Sequence, residues 1–295
     1  MAERSAIGCW IEAMRLRTLP VSVAGVVFAA GLSVAAHTVR PAALVLALVF
    51  AVLAQIASNF ANEYYDFRDG LDRAGREGPR RGVTEGDITP GAMKGATFAT
   101  LGLACLTGCV LVALYGQWWM YAAGVLVALG VMAYSTGPWP LSRHGLGEVA
   151  VVVFFGIVPV CLTYMLCGGE FSARLLLTAT GIGLPAANVL VVNNYRDIDD
   201  DRAVGKRTLA VMLGRRAMAA LYAVNGVLTA LLTYPAWDSL GHGAWTVPLI
   251  YALLNLGLTR VLCARSGRSL TPVLGMTAML MLVFSITFLI FAILK

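Results

Sequence analysis

The feature that most constrains this chain is a series of apolar runs, each about as long as a bilayer is thick. A helix needs about 20 predominantly apolar residues to cross a hydrocarbon core of roughly 30 Å. Nine such runs lie at about 18–37, 42–61, 91–115, 118–136, 147–167, 174–195, 217–236, 244–263 and 271–294. None shows the period-two alternation of a membrane barrel. The sequence therefore predicts an all-α polytopic membrane protein, with nine transmembrane helices in a single domain over residues 1–295.

The charged residues, 13% of the chain, are distributed unevenly between the ends of these runs. Of the 22 Lys and Arg, 19 fall at alternate run ends, and only Arg40, Arg174 and Lys295 fall on the other side. By the positive-inside rule, the N-terminus and the large charged loops are cytoplasmic, with the protein in the inner (cytoplasmic) membrane. The net charge of +6 then reflects topology, so it does not indicate nucleic-acid binding.

The first 17 residues precede the first apolar run and have an amphipathic character. Trp10, Ile11 and Met14 are apolar, and Arg15 and Arg17 follow them. This pattern is typical of a segment that lies at the membrane interface. A secretory signal peptide is the alternative, but the long stretch before the apolar run disfavours it.

The acidic residues are concentrated in two short segments, each at the cytoplasmic end of an apolar run. Four of the 16 lie between Asn62 and Asp72, and four lie between Asn193 and Asp201. Ionisable groups near membrane depth are costly and are usually functional. Ion pairing with neighbouring arginines at a solvated helix end is the alternative for one such segment, but a matched pair of segments favours a shared function.

Helical geometry places the polar groups of each segment on one face. In the first segment, Asn62, Asp66 and Asp69 lie within about 60° of one another around a helix, with Asp72 nearby if the helix continues. In the second segment, the corresponding Asn and two Asp side chains lie within about 80°. The two Asn-x-x-x-Asp starts are 131 residues apart (62 to 193 and 66 to 197), which indicates an internal repeat of about four helices.

Two facing clusters of oxygen ligands, without His or Cys, are typical of Mg²⁺ bound together with substrate phosphates. A diphosphate suits such a site, because several carboxylates can bind metal ions that bridge to its oxygens. The predicted metal-binding and catalytic residues are Asp66, Asp69, Asp72, Asp197 and Asp201.

Each acidic segment is followed by a basic stretch with the composition of a loop. Cations beside a metal–carboxylate site stabilise the charge that grows on a diphosphate leaving group. The predicted diphosphate-binding residues are Asn62, Arg80, Arg81, Asn193, Lys206 and Arg207. The chain contains no Walker A motif, which argues against an ATP-driven pump.

Four stretches of this sequence resemble the UbiA superfamily of intramembrane prenyltransferases. They are residues 10–20, 62–80, 134–148 and 193–208. The resemblance implies nine transmembrane helices and a prenyl diphosphate held by Mg²⁺. The stretches are most similar to the 1,4-dihydroxy-2-naphthoate polyprenyltransferase branch, which implies prenylation of that acid, loss of its carboxylate and formation of demethylmenaquinone. Many superfamily members have Asp at the position of Gly70, so either Asp69 or Asp72 is the remaining metal ligand here.

The resemblance also implies roles for residues around the reacting carbon. Tyr64, Tyr134 or Tyr195 would stabilise an allylic cation through ring electron density. We expect Tyr134 to contact the aromatic acceptor, and Arg143, with His144 as the second choice, to bind its carboxylate. The isoprenoid tail would lie in an apolar groove open to lipid.

Three alternative functions remain at this point. Another acceptor, such as 4-hydroxybenzoate, homogentisate or protohaem, would fit the same superfamily. An ion-coupled secondary transporter would also have an internal repeat, but its acidic residues should lie near mid-bilayer. A non-catalytic membrane scaffold would leave the two matched acidic segments unexplained.

Overall fold

The structure is a computed structural model that describes residues 5–73, 75–241 and 243–295. Within these ranges the chain is helical and contains no strand. The first six helices are α1 (Ala6–Met14), α2 (Leu19–Ala35), α3 (Pro41–Arg68), α4 (Pro90–Tyr115), α5 (Met120–Ala133) and α6 (Gly147–Val152). The second six are α7 (Val158–Leu166), α8 (Ala173–Arg196), α9 (Ile198–Ala203), α10 (Leu209–Asp238), α11 (Thr246–Ala264) and α12 (Thr271–Leu294).

The helices confirm the predicted membrane-spanning architecture. In the described ranges, eight helical segments are long and apolar enough to cross a membrane. One of them combines α6 and α7 through a π-helical segment, Val153–Ile157, and another combines α1 and α2. The shorter apolar helix α5 accounts for the ninth predicted run. Each of the nine runs therefore corresponds to one helical segment, and the chain is a multi-pass membrane protein.

Local sequence signals explain where several helices begin and bend. Pro lies in the first turn of α2, α3, α4 and α12, where its missing N–H leaves no hydrogen bond unmade. Thr89 and Thr208 cap α4 and α10, since each hydroxyl accepts a hydrogen bond from a first-turn amide. Inside α10, Gly214 adopts φ 80°, which kinks the helix near the start of the predicted run.

The larger part of the core lies among α2, α8, α10, α11 and α12. Phe28 stacks on Phe288 with ring centroids 4.1 Å apart, and Trp237 packs against Phe288 and Phe284. Small residues bring backbones together at the centre: a Cβ added to Gly156 would lie 2.3 Å from Cα of Gly183. Such close approaches are typical of helix packing in membranes, where dispersion contacts replace the hydrophobic effect. The π-helical segment is thus fixed against α8.

Candidate active site

A polar cavity of about 170 Å³ lies between the C-terminal ends of α3 and α8. Helices α3 and α8 each carry one of the two Asp-rich segments to this point. Eight of the residues predicted from sequence line the cavity: Asn62, Asp66, Arg81, Tyr134, Asn193, Asp197, Asp201 and Lys206. The structure therefore brings both segments into one site.

Asp66, in the last turns of α3, is fully buried and surrounded by donors. Its Oδ2 accepts hydrogen bonds from Lys206 Nζ at 2.8 Å and from Asn62 Nδ2 at 3.3 Å. Its Oδ1 lies 3.4 Å from the Arg143 guanidinium. Because Lys206 follows the second Asp-rich segment, this carboxylate joins the two halves of the chain.

Arg76 makes a second connection between the two segments. Its guanidinium donates to Asp72 at 2.7 Å and to Asp197 at 2.9 Å. Helix α3 ends at Arg68, so Asp72 lies in the following loop rather than on a continued helix. Burial lowers the pKa of Arg76, but the carboxylates of Asp197 and Asp72 outweigh this effect and raise it. Arg76 therefore stays charged between the two acids.

The second Asp-rich segment is interrupted, which corrects the expectation of one continuous helix. Asp197 leaves the helical conformation (φ −91°, ψ 10°), and α9 begins after it. The Asp197 carboxylate pairs with its neighbour Arg196 at 2.6 Å and with Arg76 at 2.9 Å. A hydrogen bond of 2.8 Å from Asp201 N to Asp197 O keeps the two aspartates on the same side.

Asp201 differs from Asp66 and Asp197 because, among the described residues, no side chain makes an ion pair with its carboxylate. Burial raises the pKa of its carboxyl to about 6; Lys206 opposes this shift, and the negative charge of Asp197 adds to it. The pKa of Asp72 is also raised by burial, against the effect of Arg76. Both pKa shifts arise mainly from burial, and in each the negative charge of a neighbouring aspartate adds to the shift, so a bound cation would stabilise the charged carboxylates.

The donor set of the cavity fits a hard divalent cation. In the described residues, no group of three His, Cys, Asp or Glu side chains converges as preformed ligands. The carboxylates of Asp66, Asp72 and Asp197 instead face cationic side chains, and Oδ2 of Asp72 is buried without a hydrogen-bond partner. Carboxylate oxygens are the ligands that Mg²⁺ prefers. They would be free to bind it if the basic side chains moved to a phosphate.

Some of the predicted residues lie outside the cavity lining, and Asp72, buried beside Arg76, is one of them. Asp69 lies at the rim, where it accepts from Arg143 at 2.6 Å and from Arg68 at 2.7 Å. Burial raises the pKa of Asp69, but these two hydrogen bonds outweigh burial and lower it. Arg143 also donates to Ser135 O at 2.9 Å, so it lies behind Asp66 rather than in the cavity.

The other predicted residues outside the lining are turned towards different partners. Arg80 pairs with Asp87 and lies 3.9 Å from Glu85, so its charge is used within its own loop. Arg207 is exposed, and its backbone N–H donates to Arg143 O at 3.2 Å. The His144 ring stacks on Trp139, with centroids 4.3 Å apart.

Of the three tyrosines considered for the reacting carbon, only one lines the cavity. Tyr134 does so, at the end of α5. Tyr64 packs edge-on against Tyr65, and Tyr195 lies 5.8 Å below the Arg215 guanidinium. The structure therefore leaves Tyr134 as the tyrosine at the site.

Arg15 is a cavity residue that the sequence analysis assigned only to the interfacial segment. It joins α1 to the next turn with a left-handed backbone (φ 53°), which is unfavourable for a non-glycine residue and is often found at functional sites. Its guanidinium donates to Asn62 Oδ1 at 2.9 Å. Arg15 lies within residues 10–20, one of the four stretches that resemble the UbiA superfamily, and this resemblance is the sequence signal that could have identified it.

Arg76, Asn194 and Phe155 were also missed as site residues, although all three line the cavity. Arg76 lies in the basic stretch after the first Asp-rich segment, and Asn194 directly follows Asn193. Phe155 gives no sequence signal, because it is one apolar residue within an apolar run.

The polar cavity continues into an apolar groove of about 470 Å³. The groove is lined by α2, α3, α4, α5 and the segment from α6 to α7. Five residues line both spaces: Gln55, Ser58, Tyr134, Val151 and Phe155. The combined site suits a molecule with an anionic head and a long apolar tail.

Comparison with known proteins agrees with this geometry. The model of the UbiA prenyltransferase family matches residues 20–270. The 1,4-dihydroxy-2-naphthoate octaprenyltransferase of Mycobacterium tuberculosis (strain ATCC 25618 / H37Rv) is 38% identical over 282 residues, covering 94% of each chain. The protein of the same name from Escherichia coli (strain K12) is 38% identical over 240 residues, covering 78% of each chain.

The fold also matches that of a solved structure. A UbiA homologue from Archaeoglobus fulgidus, bound to DMAPP and Mg²⁺, superimposes with a TM-score of 0.69 at 14% identity, covering 95% of this chain and 99% of that one. The family match covers most of this chain. The two Asp-rich segments of the chain meet at one cavity. The protein is therefore a member of the UbiA prenyltransferase family, an enzyme that transfers prenyl groups.

Proposed function

We propose that this enzyme transfers a polyprenyl group from an isoprenoid diphosphate to 1,4-dihydroxy-2-naphthoate, with loss of the carboxylate as CO₂ and release of diphosphate. The product is demethylmenaquinol, the reduced form of demethylmenaquinone. The observation that carries this proposal is the joined site, in which a cavity lined by both Asp-rich segments opens into an apolar groove. The names of the M. tuberculosis and E. coli relatives support the choice of acceptor.

The diphosphate head would occupy the polar cavity with Mg²⁺. Asp66, Asp197 and Asp201 would hold the metal, because all three line the cavity. We choose Asp72 over Asp69 as the further ligand, since Asp72 is buried beside Arg76 and Arg81, whereas Asp69 lies at the rim. When bound, Mg²⁺ supplies Lewis-acid stabilisation of the leaving diphosphate. A Mg²⁺ complex of the A. fulgidus homologue supports this choice of metal.

The basic side chains would stabilise the charge of the departing diphosphate. Arg81, Lys206 and Arg76 line the cavity and are now occupied by carboxylates, so a bound metal would release them towards the phosphate oxygens. The amides of Asn62 and Asn193 lie in the same lining and would orient the diphosphate. Arg80 and Arg207 are not part of this proposal, because their side chains lie elsewhere.

The allylic carbon must lie where the two spaces meet, since the head is anionic and the tail is apolar. The aromatic residues at this junction are Tyr134 and Phe155. Phe155 belongs to the π-helical segment, a local distortion that is frequent at functional sites. Both rings would stabilise the allylic cation with their electron-rich faces and would exclude water from it.

The acceptor would reach the cation from the polar side of the junction. Tyr134 would contact its ring, as predicted from sequence. The cavity lining contains three arginines, and two of them, Arg76 and Arg81, are paired with aspartates. Arg15 is the third, and we assign the acceptor carboxylate to it. Arg143 would act by holding Asp66 and Asp69, and His144 has no part in the site.

We place the active site on the cytoplasmic side of the inner (cytoplasmic) membrane, following the distribution of Lys and Arg. The whole chain would form one prenyltransferase domain with residues 1–17 at the interface. The exposed apolar side chains of Ile7 and Ile11 on α1 support this placement. Residues 1–4 of that segment lie outside the described residues.

Purified enzyme given Mg²⁺, 1,4-dihydroxy-2-naphthoate and a mixture of prenyl diphosphates tests the proposal. We expect lipid-soluble demethylmenaquinol or its quinone by mass spectrometry. Asp66→Asn and Asp197→Asn should abolish the product while the protein still inserts and purifies. Asp238→Asn, an exposed aspartate at the far end of α10, is the matched control.

Parallel assays with 4-hydroxybenzoate, homogentisate and protohaem test the choice of acceptor. Turnover of any of these without turnover of the naphthoate would contradict the proposed acceptor but not prenyl transfer. Full activity of both Asp variants would contradict the metal assignment.

A further inference from the structure

A buried carboxyl group outside the diphosphate site lies directly behind the cavity wall. Glu148, in the first turn of α6, is only 5% exposed. Its Oε1 accepts a hydrogen bond of 2.8 Å from Asn194 Nδ2, and its Oε2 is buried without a hydrogen-bond partner among the described residues. A half-satisfied buried carboxyl is costly, so its retention calls for a functional reason.

Glu148 fixes the orientation of a residue that does line the cavity. Asn194, in the last turn of α8, is 7% exposed and contributes to the polar lining. One N–H of Nδ2 is bound to Glu148, and Oδ1 is the hydrogen-bond acceptor that Asn194 has left for a ligand. Among the described residues, no side chain donates a hydrogen bond to this oxygen. A ligand can therefore use it.

The chemistry of this position fits the acceptor rather than the diphosphate. An amide oxygen accepts hydrogen bonds, and a diphosphate coordinated by metal has only acceptor oxygens, so the two repel. Leu190 and Val151 line the cavity with Asn194 and give it apolar neighbours. A flat apolar ring that carries a hydroxyl group matches this combination of one hydrogen-bond acceptor and apolar walls.

We propose that Asn194 Oδ1 accepts a hydrogen bond from a ring hydroxyl of the aromatic acceptor, and that Glu148 is the positioning residue that holds the Asn194 amide in this orientation. The inference rests on the proposed function and specifies how that site selects a hydroxylated ring. Asn194 touches the acceptor, whereas Glu148 acts only through Asn194.

The test compares 1,4-dihydroxy-2-naphthoate with its 1-O-methyl and 4-O-methyl ethers at saturating prenyl diphosphate and Mg²⁺. In the wild type, we expect kcat/KM to fall at least about tenfold for one of the two ethers, because its methyl group removes the donor and leaves Asn194 unpaired. Asn194→Ala should remove most of this preference while the KM for prenyl diphosphate stays unchanged. The ratio of ratios cancels the intrinsic reactivity of each ether.

Variants at position 148 test the positioning role. Glu148→Leu removes the acceptor for Asn194 Nδ2 at similar volume, so the preference for the free hydroxyl should fall as in Asn194→Ala. Glu148→Gln keeps an oxygen acceptor and should restore most of it. Glu170→Gln, an exposed glutamate between α7 and α8, is the matched control and should behave as wild type. If Glu148→Leu does not fold, Asn194→Ala still decides the proposal.

Three results would overturn the proposal. They are a wild type that treats the diol and both ethers alike, an Asn194→Ala variant that lowers kcat/KM equally for all three, and a folded Glu148→Leu variant that keeps the full preference. Absence of any turnover of the diol by the wild type would instead overturn the proposed function, and this inference with it.

Discussion

Lys206 places its ammonium nitrogen 2.8 Å from Oδ2 of Asp66, although the two residues are 140 positions apart in the chain. Both side chains are largely buried, at 10% and 1% exposure. The lysine thus supplies, in the free protein, the positive charge that the Asp-rich site requires. A metal ion and a diphosphate together can replace it, because one takes the carboxylate and the other takes the lysine.

Replacing Lys206 with Met should lower stability in the absence of Mg²⁺ and should slow catalysis in its presence. Without Mg²⁺, Asp66 keeps weaker partners, and we expect a loss of about 2 kcal/mol of unfolding free energy. With Mg²⁺ and substrate, kcat/KM should fall about 100-fold, because a cation is missing at the leaving group. Thermal unfolding with and without Mg²⁺, together with initial rates, measures both effects. Lys206→Arg is the charge-preserving control, and an unchanged Tm for Lys206→Met without Mg²⁺ would contradict the assignment.

Arg76→Met should destabilise the free protein, because it leaves Asp72 and Asp197 buried without their shared guanidinium. We expect a loss of about 3 kcal/mol, partly recovered by Mg²⁺. The control is Arg73→Met: Arg73 is 52% exposed and lies 3.9 Å from Asp200, so its removal should change stability by less than about 1 kcal/mol. Thermal unfolding in detergent at several Mg²⁺ concentrations distinguishes the two variants. Equal effects of both would show that the bridge has no special role.

Fluorination of Phe155 should slow prenyl transfer stepwise. Each fluorine withdraws electron density from the ring face while changing its size little, so the stabilisation of a facing cation weakens. We expect log kcat to fall steadily from phenylalanine to trifluorophenylalanine at position 155. The same series at Phe154, which lines only the apolar groove, should show no trend. Parallel slopes at the two positions would argue against a contact between Phe155 and the cation.

Gly130→Ala should reduce the use of long prenyl chains. A Cβ at this position would lie 2.2 Å from Cζ of Phe154, so the ring must move within the groove. We expect the ratio of kcat/KM for octaprenyl over geranyl diphosphate to fall about tenfold. Gly124→Ala is the matched control, since Gly124 also lines the groove but a Cβ there meets nothing within 4 Å. An unchanged ratio for Gly130→Ala would show that the tail does not pass Phe154.

The sequence alone was sufficient for the membrane architecture and for the chemical character of the site. The length of an apolar run is visible in the local sequence, and it can be compared directly with the thickness of the bilayer. Each of the nine runs corresponds to one helical segment. Asn62 and Asp66 are one turn apart within α3, so their shared face also followed from local geometry. The helix end at Asp69 has a local signal as well, because Gly70 follows it with φ 67°. The break at Asp197 did not follow from the sequence, because no glycine or proline stands next to it.

Only the tertiary structure decided which charged residues belong to the site. Arg76 and Arg80 are four positions apart in one loop, yet Arg76 bridges Asp72 and Asp197, whereas Arg80 turns to Asp87. Arg15 lies in the stretch that resembles the family, but the sequence does not predict the left-handed backbone conformation with which it reaches the cavity. A long arginine side chain pairs with whichever carboxylate the path of the backbone places near it. The local sequence therefore shows that arginines are present near the site, and the packing of distant helices determines which of them line the cavity.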